Sequence, residues 1–186
     1  MSDMAKNAVL LLAMGFEEIE AISIVDTLRR AGVEVTIAGL QVGAIEGAHG
    51  IKVVPDTTIG EIEIKKFDAV ILPGGNPGYV NLGKDHRVLD AVKTAFELGK
   101  IVAAICAAPS VLAKAGILKG KRATIYPGME SALTGAKHIN ERVVVDGKLV
   151  TSQGPGTALE FGIALAELLV GKQKAQEVKS ALVAKF

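Results

Sequence analysis

The sequence is short of the residues that brace many small proteins. It has one cysteine, Cys106, no tryptophan and only 4% aromatic residues. A lone cysteine excludes an intrachain disulfide framework and a thiolate metal cage, and it suits a reducing compartment. The histidines stand at 49, 86 and 138, with no H-x-x-x-H or similar ligand spacing, so no metal is expected. No G-x-G-x-x-G follows the first apolar run, and without it a dinucleotide cofactor has no cradle. Formal net charge is +1 with no basic cluster, so neither nucleic acid nor an anionic membrane is an expected partner. No apolar run approaches the roughly 18–20 residues of a membrane helix. Met1–Lys6 lacks the charged-then-apolar order of a signal peptide, and a cytoplasmic location is expected.

What is present is aliphatic. Hydrophobic residues make up 49% of the 186, enough for a sizeable core and a single domain over residues 1–186. Ala8–Ala13 is a short apolar run that breaks at Gly15, the mark of a strand buried on both faces. Glu17-Glu18-Ile19-Glu20 opens a helix that Arg29-Arg30-Ala31-Gly32 closes, acids first, bases last and glycine after. Val33–Gly39 reads as the second strand, residues 41–54 as a hairpin excursion and Phe67–Leu72 as the third strand. A helix over 86–98 precedes the strand Ile101–Ile105. Arg142–Val145 and Leu149–Ser152 flank a predicted Asp146-Gly147 turn. Thr157 and Glu160 form a T-x-x-E capping box for a helix over 157–169, and a last helix covers 171–183. This alternation predicts one doubly wound α/β fold with a mainly parallel sheet and helices on both faces. Ligands in such folds bind beyond the carboxyl ends of the strands.

Cys106 stands at such an end. It follows Ile101–Ile105 and precedes Ala107-Ala108-Pro109, which predicts a strand, a sharp turn and a helix starting near Pro109. Free cysteine is often mere core, but this is the setting of a nucleophile elbow. The amino end of the helix is expected to favour the thiolate, the reactive form. Gly74-Gly75 follows the Phe67–Leu72 strand. It is either an ordinary tight turn or a place where backbone N–H groups approach a substrate oxygen, with the Ala107 N–H completing the hole. Glu17 and Glu18 read as a solvated first turn. Glu20 lies in line with Phe16 and Ile24, while Glu18 lies in line with Ile22 and Val25. Periodicity alone does not choose which carboxyl is buried.

Together these segments form a recognisable set: G-F-E-E-I-E, D-A-V-I-L-P-G-G-N, I-V-A-A-I-C-A-A-P and T-S-Q-G-P-G-T. They resemble the ThiJ/PfpI superfamily, in particular its DJ-one branch and a bacterial or archaeal-type member of it, over residues 6 to 183. The resemblance implies a flavodoxin-like sandwich, normally a homodimer, that needs no cofactor. It implies that Glu20 is the acid beside Cys106, held protonated next to the thiolate, and that Gly74, Gly75 and Ala107 form the oxyanion pocket. Pro155, in Gly154-Pro155-Gly156, falls near the site and the dimer interface. Tyr126 stands in Thr124-Ile125-Tyr126-Pro127 where the human-type branch has a histidine. His49 replaces a pocket arginine, and Arg30 retains another.

The implied activity is a glyoxalase or protein-deglycase type, metal- and glutathione-independent, on methylglyoxal or related small reactive carbonyls. The same thiol also fits a redox sensor or stress chaperone that is oxidised to the sulfinate. A peptidase reading is weaker, because Ala107 occupies the position that the superfamily's peptidases give to histidine. A glutaminase triad is disfavoured, since Ile139-Asn140 follows His138 in place of a His-x-Glu pair.

Overall fold

Along the first strand, Ala8, Leu10 and Leu12 alternate with Val9, Leu11 and Ala13, and all six are buried. A strand dry on both faces needs two cores, and the computed structural model, which describes residues 5–186, contains both. Residues 1–4 of the expected leader-free amino terminus lie outside the described residues.

The chain runs β1 (Asn7–Leu12), α1 (Glu18–Arg30), β2 (Glu34–Gly39), a hairpin of β3 (Ile45–Glu46) and β4 (Lys52–Val53), then β5 (Thr57–Thr58) and β6 (Ala69–Leu72). It continues through α2 (Gly78–Lys84), α3 (His86–Glu97), β7 (Ile101–Ile105), α4 (Pro109–Lys114), β8 (Arg122–Ala123) and β9 (Lys137–His138). The hairpin β10 (Val143–Asp146) and β11 (Leu149–Ser152) leads to α5 (Ala158–Val170) and α6 (Lys172–Ala181). Seven strands make the central sheet in the order β10-β11-β7-β6-β1-β2-β5. Only the β10–β11 pair is antiparallel.

One face packs on Ile24 and Leu28 of α1, Phe161 and Leu165 of α5 and Val178 of α6. The other packs on Leu82 of α2, Val88 and Val92 of α3 and Leu112 of α4. Each fully buried leucine contributes about 1.5–3 kcal/mol. The expected doubly wound α/β sandwich is therefore the observed one.

Strand order explains where a site forms. From β1 the chain moves outward to β2, then returns to place β6 on the opposite side of β1. The connections leave β1 and β6 in opposite directions, opening a crevice at their carboxyl ends. The turns after β1, β6 and β7 all end there.

Two local expectations are corrected, and one element was not anticipated. Asp146 pairs with Leu149, so the hairpin loop is Gly147-Lys148 and not Asp146-Gly147. The T-x-x-E box does not form, because both partners are engaged elsewhere. Thr157 Oγ1 is hydrogen-bonded to Ser152 Oγ at 2.6 Å and to the Gly154 backbone, while Glu160 pairs with Arg142 at 2.6 Å. Helix α2 also went unread, since seven residues that include Gly78 and Gly83 carry little helical propensity.

Candidate active site

Cys106 sits at φ +63°, a left-handed conformation that costs a non-glycine residue about 1–2 kcal/mol. The surroundings hold it there. Its N–H donates to Ser152 O at 3.0 Å, and its carbonyl accepts from Tyr126 N at 2.8 Å. Pro109 then starts α4 at the first helical position, where a missing N–H does no harm. The predicted elbow is present, with the half-buried thiol at its apex.

Gly74 brings the β6 turn under this thiol. Its N–H donates to Glu20 Oε2 at 2.7 Å, and its carbonyl accepts from Glu17 N at 2.9 Å. A Cβ at Gly74 would lie 2.6 Å from Cys106 Cβ and 2.9 Å from Glu20 Oε2, so only glycine fits between the two groups. The N–H groups of Gly75 and Ala107 both reach the sulfur. Glu20 is fully buried. The thiol and this carboxyl shift each other's protonation through a hydrogen bond, yet Oε1 has no directed partner of its own.

The electrostatics differ from the expectation of a helix-stabilised thiolate. Burial, then the charge of Glu20 and the hydrogen bond with it, push the Cys106 thiol up to about 12. The Ala107 and Gly75 N–H groups pull the other way without prevailing. Helix α4 has only six residues and little dipole to offer. Burial also pushes Glu20 up to about 7, assisted by the charge of Glu17 and opposed by Gly74 and Cys106. Two acids share one dry corner, which resists carrying two negative charges. A proton on Glu20 removes the repulsion, and a thiolate then faces a neutral carboxyl and two N–H donors.

Above this pair lies a cavity of about 360 Å³. Of the expected residues, Gly75, Cys106, Ala107, Tyr126 and Pro155 line it. Glu20 and Gly74 lie against the thiol beneath it. Glu17, Asn76, Tyr79 and Met129 also line it and were missed. Glu17 had a findable signal, since it directly follows the turn that ends β1. A larger cavity of about 560 Å³ between α2 and α4 has no acid, thiol or histidine in its lining, so the chemistry belongs to the smaller one.

Two further expected residues do not line this cavity. Arg30 is exposed, pairs with Asp26 at 2.6 Å, and lies ten residues along α1 from Glu20, about 15 Å of helix. His49 is outside, its side chain 69% exposed.

The reading of Glu17 and Glu18 as a solvated turn is also corrected, since both are buried. The β3–β4 hairpin covers them. Glu18 Oε1 accepts from the N–H groups of His49 at 2.7 Å and Ile51 at 3.4 Å, and Oε2 meets His49 Nδ1 at 2.9 Å. Burial opposes ionisation of Glu18, but these hydrogen bonds outweigh it and hold the carboxyl below its usual range. Glu17, Glu18 and His49 are the one group of at least three such side chains, among the described residues, whose donor atoms converge within 4.8 Å. Glu18 is taken up by His49 and by backbone N–H groups, whereas Glu17 accepts only from Ile19 N at 3.4 Å and stands 3.5 Å from His49 Nδ1.

The profile of the DJ-1/PfpI family matches residues 6–168. The chain belongs to the DJ-1/PfpI family. It is 44% identical to protein dj-1beta of Drosophila melanogaster, over 98% of this chain and all of that protein. The crystal structure of Drosophila DJ-1beta superposes with a TM-score of 0.95, over 98% of this chain and 100% of that one. An oxidized Toxoplasma gondii DJ-1 structure is 36% identical with a TM-score of 0.94, covering 98% of this chain and 100% of its own. A Caenorhabditis elegans relative, glutathione-independent glyoxalase DJR-1.2, is 37% identical over 91% of each chain. These relatives are eukaryotic and give a bacterial or archaeal-type assignment within the DJ-1/PfpI family no support. No helix among the described residues is long and apolar enough to cross a membrane.

Proposed function

We propose that the chain is one DJ-1/PfpI domain acting as a cysteine-dependent, glutathione-independent glyoxalase or deglycase on methylglyoxal and its early adducts. The observation that carries this reading is a thiol on a strained elbow, with two N–H donors at the sulfur and a buried carboxyl whose proton is available near neutral pH. The name of the nematode relative lends support at family level.

The sulfur of Cys106 adds to the aldehyde carbon, and the carbonyl oxygen takes the proton, giving a hemithioacetal. The Gly75 and Ala107 N–H groups stabilise the developing oxyanion. Glu20, left as the carboxylate once its proton has passed to that oxygen, takes the proton from the hemithioacetal carbon and returns it to the neighbouring carbon, while the hydroxyl proton passes to the neighbouring oxygen, leaving a lactoyl thioester. Water cleaves the thioester, releasing lactate and the free thiol. Tyr126 can donate a hydrogen bond at the cavity wall but is a poor base at neutral pH, so proton movement rests on Glu20.

A redox sensor is the second reading, favoured by a buried, unpartnered oxygen, Oε1, on the same Glu20 side chain that hydrogen-bonds the Cys106 thiol. A sulfinate formed on Cys106 gains a ready acid partner there. One protein sample separates the two. With methylglyoxal, lactate formation is expected to vanish in Cys106→Ser, and wild-type rates in that variant would overturn the enzyme reading. After mild peroxide, intact mass should rise by two oxygens in wild type only, and a thiol that stays reduced would remove the sensor.

The chain is further proposed to be a homodimer. Ile19 and Ile22 of α1 are 57% and 45% exposed, and Ile51 and Val54 on the neighbouring hairpin segment 57% and 73%, an apolar surface costly to leave in water. Sedimentation should give twice 19.3 kDa, with Ile22→Asp shifting it toward monomer. A monomeric wild type at micromolar concentration would refute the dimer.

A further inference from the structure

The trio of Glu17, Glu18 and His49 beside the cavity takes no part in the proposed chemistry, and its histidine faces solvent. His49 Nδ1 stands 2.9 Å from Glu18 Oε2 and 3.5 Å from Glu17 Oε2. Glu18 is fully engaged by the hairpin, as described above. Glu17 is different: it also lines the Cys106 cavity, and its charge bears on Glu20. A solvent-facing imidazole therefore stands within ion-pair distance of a carboxyl group that lines the same cavity as the Cys106 thiol.

We propose that His49 sets the charge of the Cys106 cavity through Glu17, admitting anionic carbonyl ligands when the imidazole carries its second proton and disfavouring them when it does not.

The backbone fixes the contact. Ala48 N donates to Phe16 O at 2.8 Å and Gly15 N to Glu46 O at 2.8 Å, so the hairpin is stapled to the turn that presents Glu17. His49 cannot leave without breaking the staple or its bonds to Glu18. Within ion-pair distance of His49, among the described residues, stand only Glu17 and Glu18, while the hairpin's Glu46 is paired with Lys52 at 3.7 Å. The Glu18 hydrogen bond, then the charges of Glu17 and Glu18, push His49 above its ordinary value, so its charge changes at a higher pH than that of a free imidazole. Below that point an imidazolium offsets Glu17. Above it Glu17 stands uncompensated, and its field acts on Glu20 and on anything that enters.

The inference rests on Cys106 being the reacting group, not on which carbonyl it meets. Its test uses two thiol reagents of similar size, anionic iodoacetate and neutral iodoacetamide. The ratio of their rates at Cys106 cancels the thiolate fraction and reports the cavity's charge. Glu20 ionises in the same pH range and also lowers this ratio, so variants are needed. His49→Arg keeps a permanent positive charge and His49→Gln has none. As pH rises from 5.5 to 9, the ratio in wild type should fall roughly threefold further than in either variant, a factor suited to one screened charge. His49→Arg should lie above His49→Gln throughout, and the extra wild-type fall should track the His49 ring signal in NMR. Equal pH profiles in all three proteins, with normal alkylation, overturn the role of His49 alone. A Cys106 that reacts with neither reagent overturns this inference and the proposed function together.

Discussion

Glu20→Gln is expected to make the protein more stable and far less active. Glu20 is fully buried, and its carboxyl is raised from 4.5 to about 7. A carboxyl raised on folding binds its proton more tightly in the native state than in the unfolded chain. Below about pH 4.5 both states hold the proton and the shift contributes nothing against folding. Between pH 4.5 and 7 the unfolded chain ionises first, and native stability falls as pH rises. Above pH 7 the full difference persists, about 3 kcal/mol. Glutamine carries no such penalty, and its amide oxygen can still accept the Gly74 N–H. At pH 8 the variant should therefore gain up to about 3 kcal/mol, or roughly 6–12 °C in Tm for a chain of this size. The advantage should shrink on acidification and disappear near pH 4.5. Lactate formation should fall by about 10²–10⁴, the usual loss with a general acid–base group. Urea titrations at pH 8 and 4.5 check the first part. A variant no more stable than wild type at pH 8 would mean that Glu20 ionises in the fold as easily as in water.

Such a trade of stability for chemistry is visible in the sequence only where the physics is local. Ala8–Ala13 and Ile101–Ile105 announce themselves because a strand dry on both faces must be apolar at every position. The acids of Glu18 and Glu20 and the bases of Arg29 and Arg30 frame α1 within a few residues of observation. The Cys106 elbow is likewise a short-range signal: apolar run, cysteine, small residues, proline. Burial of Glu17 and Glu18 was hidden, because what covers them is a hairpin some thirty residues further along the chain. Helical periodicity carries no record of that contact. The same limit explains Thr157 and Glu160. Their spacing suits a capping box, but Ser152 and Arg142 compete for them from the preceding hairpin. The two-residue strands β5, β8 and β9 depend on neighbours for their pairing and leave no pattern of their own.

The largest steric effect is expected at Gly75, and Gly32 supplies its control. Both have positive φ, +96° and +81°, so alanine at either pays a left-handed backbone cost of about 1–2 kcal/mol. At Gly32 a Cβ meets nothing within 4 Å. At Gly75 it would run into Glu17 N, and it would stand 2.5 Å from both Gly15 O and Phe16 C, all backbone atoms that no rotamer change can move. Relief requires pulling the β1 turn away from the β6 turn, breaking the Glu17 N–H to Gly74 O bond that closes the crevice. Gly75→Ala should therefore destabilise the fold by at least about 2 kcal/mol more than Gly32→Ala, in the range of severe overpacking. Its Gly75 N–H would also swing off the sulfur, and one lost oxyanion donor costs about 10²–10³ in turnover. Gly32→Ala should turn over like wild type. Paired denaturation curves and lactate assays separate the two effects. If both variants lose the same stability, the close approach of the two turns is not what makes glycine necessary at position 75.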